Sequence, residues 1–469
     1  MTVSPRAAWT RGPVSMRDPV PPSRDDPLVA AGSEAVGGPL GHHARAGQGW
    51  WTPLRVLLAL VTVMFVIGVA QKGYCRDIGW PRDNALQYSH ACYSDIPHMF
   101  RERGFVDGQL PYLDTGGYPA LEYPVLTGAV MTATSWIART ADGVDAQTVL
   151  FYDVNAVLML VLAMVTVTAV VKIAGRRPWD AALVALAPGM LLAGTINWDL
   201  LAVAGAMLAL LAWTRDRPAL AGVLLGLATA AKFYPVLLLG ALLVLALRER
   251  RVGRFARTAV GAAAAWLVVN LPVMVLAPEG WQTFYTFNEG RSADFGSLWL
   301  ILEQTGHTAG GLLDAHLNAV TSGLFALLCL GILTLGLRAA RPPRLGQLAF
   351  LVIAAFVVVN KVYSPQYVLW LIPLAALARP RWRDFLIWQA CEVLYFFSVW
   401  YYLVAGQDAD HALPPRLYWV TIMVRLAGLT YLAATVVRDV LRPECDPVRA
   451  TARPYEAAGT ARPYGVTAP

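Results

Sequence analysis

Three cations stand where a membrane makes charge costly. Lys232 lies between the apolar runs 218–231 and 234–248, Lys361 closes the run 345–360, and Arg291 belongs to the polar stretch 278–316. Ionisable groups at such depth are rare and usually functional. Together they suit an anion such as a lipid phosphate, to which they give charge-assisted hydrogen bonds. The plainer reading of Lys232 and Lys361 is a lysine that snorkels to the interface. Polar and aromatic groups recur beside them: Asn197, Trp198 and Asp199 in one turn, Tyr234 just after Lys232, then Asp294, Ser297 and Trp299, then Tyr363, Ser364, Gln366 and Tyr367. Asp199 also reads as a plain helix cap, and the aromatics as an interfacial belt. Carboxylates concentrate in 72–122, at Asp77, Asp83, Asp95, Asp107, Asp114 and Glu122. One of them could take a proton from an attacking group. Residue type and spacing alone do not single out Asp95 from its neighbours.

These groups need elements to position them, and composition says which kind. The chain is 57% hydrophobic and 15% charged, whereas soluble domains carry about a quarter of their residues as charges. The net charge of +7 does not indicate a nucleic-acid partner. Its arginines fall in short clusters between apolar runs, at Arg176-Arg177, Arg248 to Arg257, Arg338 to Arg344 and Arg379 to Arg383. That is the positive-inside pattern of a membrane protein. The expected fold is all-α, a polytopic bundle of about 11 to 13 helices with a long first extracytoplasmic loop. The first span is expected at 53–71, entering from the cytoplasm after Arg45 and Arg55. Loop 72–122 follows, long enough to suggest a function, and 93–104 reads as a short interfacial helix.

Later runs fall near 123–138, 148–173, 180–196, 199–213, 218–231, 234–248, 257–277, 317–338, 345–360, 366–378, 385–404 and 415–437. Several are too short to cross alone. Breakers interrupt them at Pro188, Asn197 to Asp199, Lys232 and Ser364-Pro365. Broken helices at membrane depth are tolerated where they line a polar cavity. One conflict stands. Counting back from a cytoplasmic C-terminus puts 139–147 outside, yet 123–138 also starts outside. One short segment must be re-entrant or pair differently, and parity around 123–148 is left open.

Segments 1–49 and 441–469 read as disordered cytoplasmic tails flanking the domain 50–440. The C-terminal one repeats Thr451-Ala-Arg-Pro-Tyr455 at 460–464, a low-complexity feature without chemistry. The N-terminus lacks the early apolar stretch of a signal peptide. Cys329 and Cys391 lie in apolar runs. Cys75 and Cys92 share the first loop, where the compartment permits a disulfide that spacing cannot prove. His90 and His98 flank Asp95 without the paired carboxylates of a metal site, so metal-independent chemistry with no cofactor is expected.

Four stretches, in order, carry a resemblance. They are Leu121-Glu-Tyr-Pro-Val-Leu126 after an acid-bearing first loop, Asn197-Trp-Asp-Leu-Leu201, Gly226-Leu-Ala-Thr-Ala-Ala-Lys-Phe-Tyr-Pro235 and Ser364-Pro-Gln-Tyr-Val-Leu-Trp370. The first resembles the GT-C class of polyprenyl-phosphate-sugar glycosyltransferases. Together, over about 50–440, they resemble glycosyltransferase family 87, actinobacterial membrane mannosyltransferases also grouped as a domain of unknown function. The resemblance implies a polyprenyl-phosphate hexose donor, commonly mannose, and a glycolipid, glycan or protein acceptor. It implies inverting transfer at the extracytoplasmic face of the cell membrane. In it, Asp95 of Tyr93-Ser-Asp-Ile-Pro97 matches the family's general base. Lys232, Arg291 and Lys361 then hold the donor phosphate, and Asn197, Asp199, Tyr234, Trp299, Tyr363, Ser364 and Gln366 contact substrate. Two competing readings are a secondary transporter, disfavoured by the long acidic loop and the lack of an internal repeat, and a catalytically inactive lipid- or glycan-binding relative.

Overall fold

The computed structural model describes residues 20, 26–37, 49–81, 85–113, 117–306, 316–406 and 412–450. Asp83, Asp114 and the C-terminal repeat lie outside the described residues. The fold is the expected all-α membrane bundle. Its helices are α1 (Pro27–Gly37), α2 (Pro53–Gln71), α3 (Asp95–Glu102), α4 (Val125–Ala138), α5 (Val144–Ala174), α6 (Pro188–Ala193), α7 (Asp199–Thr214), α8 (Pro218–Ala231), α9 (Leu238–Arg248), α10 (Val252–Leu276), α11 (Pro278–Gly290), α12 (Leu317–Arg338), α13 (Leu345–Val359), α14 (Val368–Ala378), α15 (Trp382–Leu403) and α16 (Pro415–Leu441). Five of them (α2, α5, α10, α12 and α16) are long and apolar enough to cross a membrane unaided.

The shorter helices are held by each other. In α14 all eleven residues are buried, among α5, α6, α7 and α13. Helix α8 lies on α10 at backbone contact: a Cβ on Gly222 would meet the Thr258 carbonyl oxygen at 2.2 Å, and one on Gly226 that of Ala262 at 2.3 Å. Small residues allow this approach where lipid supplies no hydrophobic drive.

Polar contacts fall in two layers at the two ends of the bundle. In one, the Val20 amide donates to the Arg176 carbonyl, Asp26 accepts from the Trp382 amide, and Arg344 binds Asp446. In the other, Arg76 binds Asp153, Arg101 binds Asp145 and Lys232 binds Asp199. These layers settle the parity. The residues before α4 and those after it both contact the first loop: Tyr112 donates to the Tyr123 carbonyl, and the Arg139 guanidinium packs on Gly108. Helix α5 then starts in that same layer. So α4, which begins and ends beside the same loop, does not cross. The crossings are even in number, and both ends of the described chain share the basic layer.

In the N-terminal segment Pro27–Gly37 is helical; Asp26 accepts from the Leu28 amide at 2.9 Å and ties the segment to Trp382. The chain also stays packed beyond 440, where Asp446 is wholly buried against Arg344. Cys75 and Cys92 form a disulfide, with Cα atoms 5.8 Å apart.

Candidate functional site

Asp95 begins α3, inside the first loop. Ser94 caps that helix, its hydroxyl accepting from the Ile96 amide and donating to the Thr195 carbonyl at 2.8 Å. The Asp95 amide donates to the Ile196 carbonyl at 2.8 Å. The carboxylate is thereby pinned beside the 197–199 turn, and it is partly exposed. Its hydrogen bonds come from neutral groups: the Tyr93 hydroxyl at 2.8 Å, the Tyr123 hydroxyl at 3.0 Å and, more loosely, the Asn197 amide at 3.5 Å. Burial pushes the carboxyl above its ordinary value; the two tyrosines and the charges of Lys232 and His98 restrain the rise without cancelling it.

Lys232 follows the last turn of α8. Its ammonium lies 2.9 Å from Asp199 Oδ1 and over the rings of Tyr123 and Tyr367, at 5.3 and 5.9 Å from their centroids. Tyr123 thus touches both groups, its hydroxyl on Asp95 and its ring face toward Lys232. Asp199 opens α7 and is buried. Its Oδ2 accepts from the Trp370 indole at 2.8 Å, and its amide donates to Asn197 Oδ1 at 3.0 Å. Tyr234 and Tyr367 stack on Trp370, at 4.4 and 3.9 Å. Asp199 is therefore more than a helix cap, because it anchors the site's central lysine.

Arg291 and Lys361 belong to a strap. A short parallel pair joins β1 (Asp294–Phe295) to β2 (Val362–Tyr363), in register Asp294 to Val362 and Phe295 to Tyr363. Arg291 bonds Asp294 at 2.5 Å. Lys361 is buried, donates to the Glu289 carbonyl at 2.9 Å, and has its amine pushed down by that burial and by Arg291. Behind the strap, Trp299 donates to the Val359 carbonyl and Tyr363 to Glu392, while Arg425 lies 3.7 Å from the Tyr363 ring.

So Asp95, Asn197, Asp199, Lys232 and Tyr234 form one cluster, and Arg291, Trp299, Lys361 and Tyr363 a second. Tyr367 joins them, since Lys232 of the first lies over its ring at 5.9 Å and Tyr363 of the second meets that ring edge-on at 5.8 Å. Asp95, Lys232, Arg291 and Ser364 are partly exposed; Asn197, Asp199, Tyr234, Trp299, Tyr363 and Gln366 are buried behind them. Tyr93, Tyr123 and Trp370 were given no site role from sequence, although each lies within a quoted stretch; Tyr367 was noted beside the cations, also without a role. An apolar groove of about 740 Å³, lined by residues such as Pro188, Leu386 and Phe397, touches none of these groups.

The sequence model of glycosyltransferase family 87 matches residues 121–360. The chain belongs to glycosyltransferase family 87. No curated protein matches it. It is thus a membrane glycosyltransferase, and the matched span holds Tyr123, Asn197, Asp199, Lys232, Tyr234, Arg291 and Trp299. Asp95 precedes the span and Lys361 to Gln366 follow it, so their attachment to a family 87 site rests on geometry. A glycosyltransferase needs a group to take the acceptor's proton and groups to stabilise the departing one. A half-open carboxylate with Lys232 facing it can do both.

Proposed function

We propose that this family 87 enzyme is a GT-C hexosyltransferase, with mannose its sugar and a polyprenyl-phosphate hexose its donor. The acceptor is an extracytoplasmic glycolipid, glycan or protein. Asp95 takes the proton from the acceptor hydroxyl as that oxygen attacks the anomeric carbon. The bond from the anomeric carbon to the phosphate oxygen breaks, its electron pair leaves with the polyprenyl phosphate, and configuration inverts. The proton on Asp95 then returns to solvent. Phosphate is already an anionic leaving group, so no acid is required to protonate it. Lys232, Arg291 and Lys361 stabilise the charge that grows on it. Ser364 lines the opening, while Asn197, Asp199, Tyr234, Trp299, Tyr363 and Gln366 fix these groups and the sugar pocket.

The observation that carries this reading is the partly exposed Asp95 carboxylate, held by neutral donors alone, with Tyr123 placing Lys232 across from it. Raised by burial, such a carboxyl is suited to accept a proton. The extracytoplasmic placement draws support from the Cys75–Cys92 disulfide in the same layer and from the arginine clusters in the opposite one.

The test is transfer of radiolabel from polyprenyl-phosphate-mannose in membranes carrying wild type or Asp95→Ala. A general base contributes roughly 100- to 10,000-fold, and a loss of that size is expected. Unchanged transfer removes Asp95 from the mechanism. Proton-coupled solute uptake without hexose transfer overturns the enzyme reading.

A further inference from the structure

The segment that delivers Asp95 is stapled from one side. Gln71, the last residue of α2, donates through its amide to the carbonyls of His90 and Ala91, at 3.3 and 2.9 Å. The Trp80 indole donates to the Cys92 carbonyl at 3.3 Å. The Lys72 ammonium donates to the Tyr93 carbonyl at 3.0 Å. Four successive carbonyls, just before the helix that Asp95 opens, are each claimed by a side chain from the end of the first span or just after it. The disulfide Cys75–Cys92 ties the same two strips covalently.

Three of these four carbonyls are held by neutral donors. An amide and an indole suffice, so hydrogen bonding does not explain a lysine at the fourth. Lys72 is wholly buried, and a buried ammonium is costly unless its charge is compensated. The compensating charge is Asp95, which acts on Lys72 against the effect of burial. The end of α2 adds a favourable setting, since a helix C-terminus attracts cations.

We propose that Lys72 is a positioning residue for Asp95: it fixes the Tyr93 backbone and places a positive charge behind the carboxylate, which keeps that carboxylate ready to accept a proton. Tyr93 serves both ends of the arrangement, its carbonyl bound by Lys72 and its hydroxyl donating to Asp95. Lys72 is out of substrate's reach and acts only through Asp95. The role rests on the reading of Asp95 as the base. The charged and titratable groups facing Asp95 are Lys72, Lys232 and His98, with the hydroxyls of Tyr88, Tyr93 and Tyr123. Burial lowers the Lys72 amine to about 7, so the charge responds to pH near neutrality.

Lys72→Met, Lys72→Arg and Gln71→Ala separate charge from scaffolding. The first readout is an infrared titration of the protonated-carboxyl band in the purified full chain, assigned by its loss in Asp95→Asn. The second is the acidic limb of mannosyl transfer from polyprenyl-phosphate-mannose. In Lys72→Met the band's midpoint and the acidic limb are expected to rise together by about one pH unit, a tenfold change in the ionised fraction below the midpoint. Lys72→Arg restores both toward wild type. Gln71→Ala, which loses two staples and no charge, leaves both where they were. An unmoved midpoint in Lys72→Met, or an equal shift in Gln71→Ala, overturns the proposal. The infrared titration reads Asp95 whether or not transfer depends on it. If Asp95→Asn leaves transfer intact while the midpoint still follows Lys72, the base assignment has failed and the coupling stands.

Discussion

Arg379 and Lys232 are both bonded to buried carboxylates, near opposite ends of α14, and their surroundings differ in kind. Arg379 bridges Asp384 and Asp439, which are 1% and 0% exposed. Asp384 also accepts from Tyr431 and Arg383, at 2.8 and 2.9 Å. Close by, Arg344 binds Asp446 and the carbonyls that end α14, those of Leu377 and Ala378. Cations there meet carboxylates and helix ends in full, and the layer is closed. At the site end, Lys232 has one carboxylate oxygen and two aromatic faces, and 17% of its side chain is exposed. Asp95 has hydrogen bonds from neutral groups and no bonded cation. A saturated ionic layer fixes helices in register. An incomplete one keeps charge available for a substrate, and this marks the site more sharply than the presence of charge alone.

The comparison breaks if the closed layer tolerates losing its cation. Arg379→Met takes the shared buried cation from two buried carboxylates and leaves them only the more exposed Arg383 and Arg438, which costs about 3–5 kcal/mol. We expect most of the protein to be lost from the detergent-soluble folded fraction, and the remainder to transfer hexose at the wild-type rate per folded molecule. A thermal melt within a degree of wild type would show that the layer is not structural.

Lys232 sharpens the contrast from the other side. Lys232→Met should lower transfer by roughly 100-fold, the size of effect seen when one donor to a developing charge is removed. It also leaves Asp199 without its counterion. The double variant Lys232→Met with Asp199→Asn should recover thermal stability, because the Trp370 indole and the Asn197 side chain still satisfy position 199. It should not recover transfer. Recovery of both would make the pair a structural bridge like those at the basic end.

Much of the bundle was legible in the sequence because hydropathy is local. Apolar runs gave the spans, arginine clusters marked one end of the bundle, and Lys232 drew attention by standing between two such runs. The pairings were not legible. That Asp199 holds Lys232, or that Trp370 holds Asp199, depends on how α7, α8 and α14 pack, which no local pattern encodes. Helix α4 resembled a short span because its composition is that of one; only its contacts with Tyr112, and those of the following Arg139 with Gly108, show that it returns. Asp95 was indistinguishable from neighbouring acids until a motif pointed to it. The structure separates it by its setting, since Asp77 and Asp107 lie elsewhere on the loop and Glu122 is taken by Arg103, at 2.6 Å. The Tyr363, Glu392 and Arg425 cluster behind the strap escaped notice, its partners being far apart in the chain.

The disulfide gives a further comparison, between covalent and hydrogen-bonded pinning of an acid. Closing a loop of this size contributes about 3 kcal/mol in the chain-entropy account. Cys75→Ser with Cys92→Ser should therefore lower thermal stability while sparing much of the transfer, because Gln71, Lys72 and Trp80 still grip 90–93. Complete loss of transfer in a variant that remains folded would show that the hydrogen-bonded staples cannot position Asp95 alone.

The smallest effect has the most telling sign. Burial raises the Asp95 carboxyl above its unfolded value, so the folded state binds that proton more tightly than the unfolded chain does. Stability from this group is therefore fully present at acid pH, below the unfolded value, and is lost as pH rises through the folded one. This is opposite to Asp384 at the basic end, whose carboxyl is held below its ordinary value because hydrogen bonds from Arg379, Tyr431 and Arg383 outweigh its burial. Asp95→Asn removes the charged form while Tyr93 and Tyr123 can still donate to the side-chain oxygen. It should raise the melting temperature at neutral pH by about 2 °C, with the gain vanishing at acid pH, even as transfer is lost. Such opposition is expected where a site holds a charge that folding alone would not choose. A variant less stable than wild type at neutral pH would place Asp95 with the structural carboxylates and erase the distinction between the two ends.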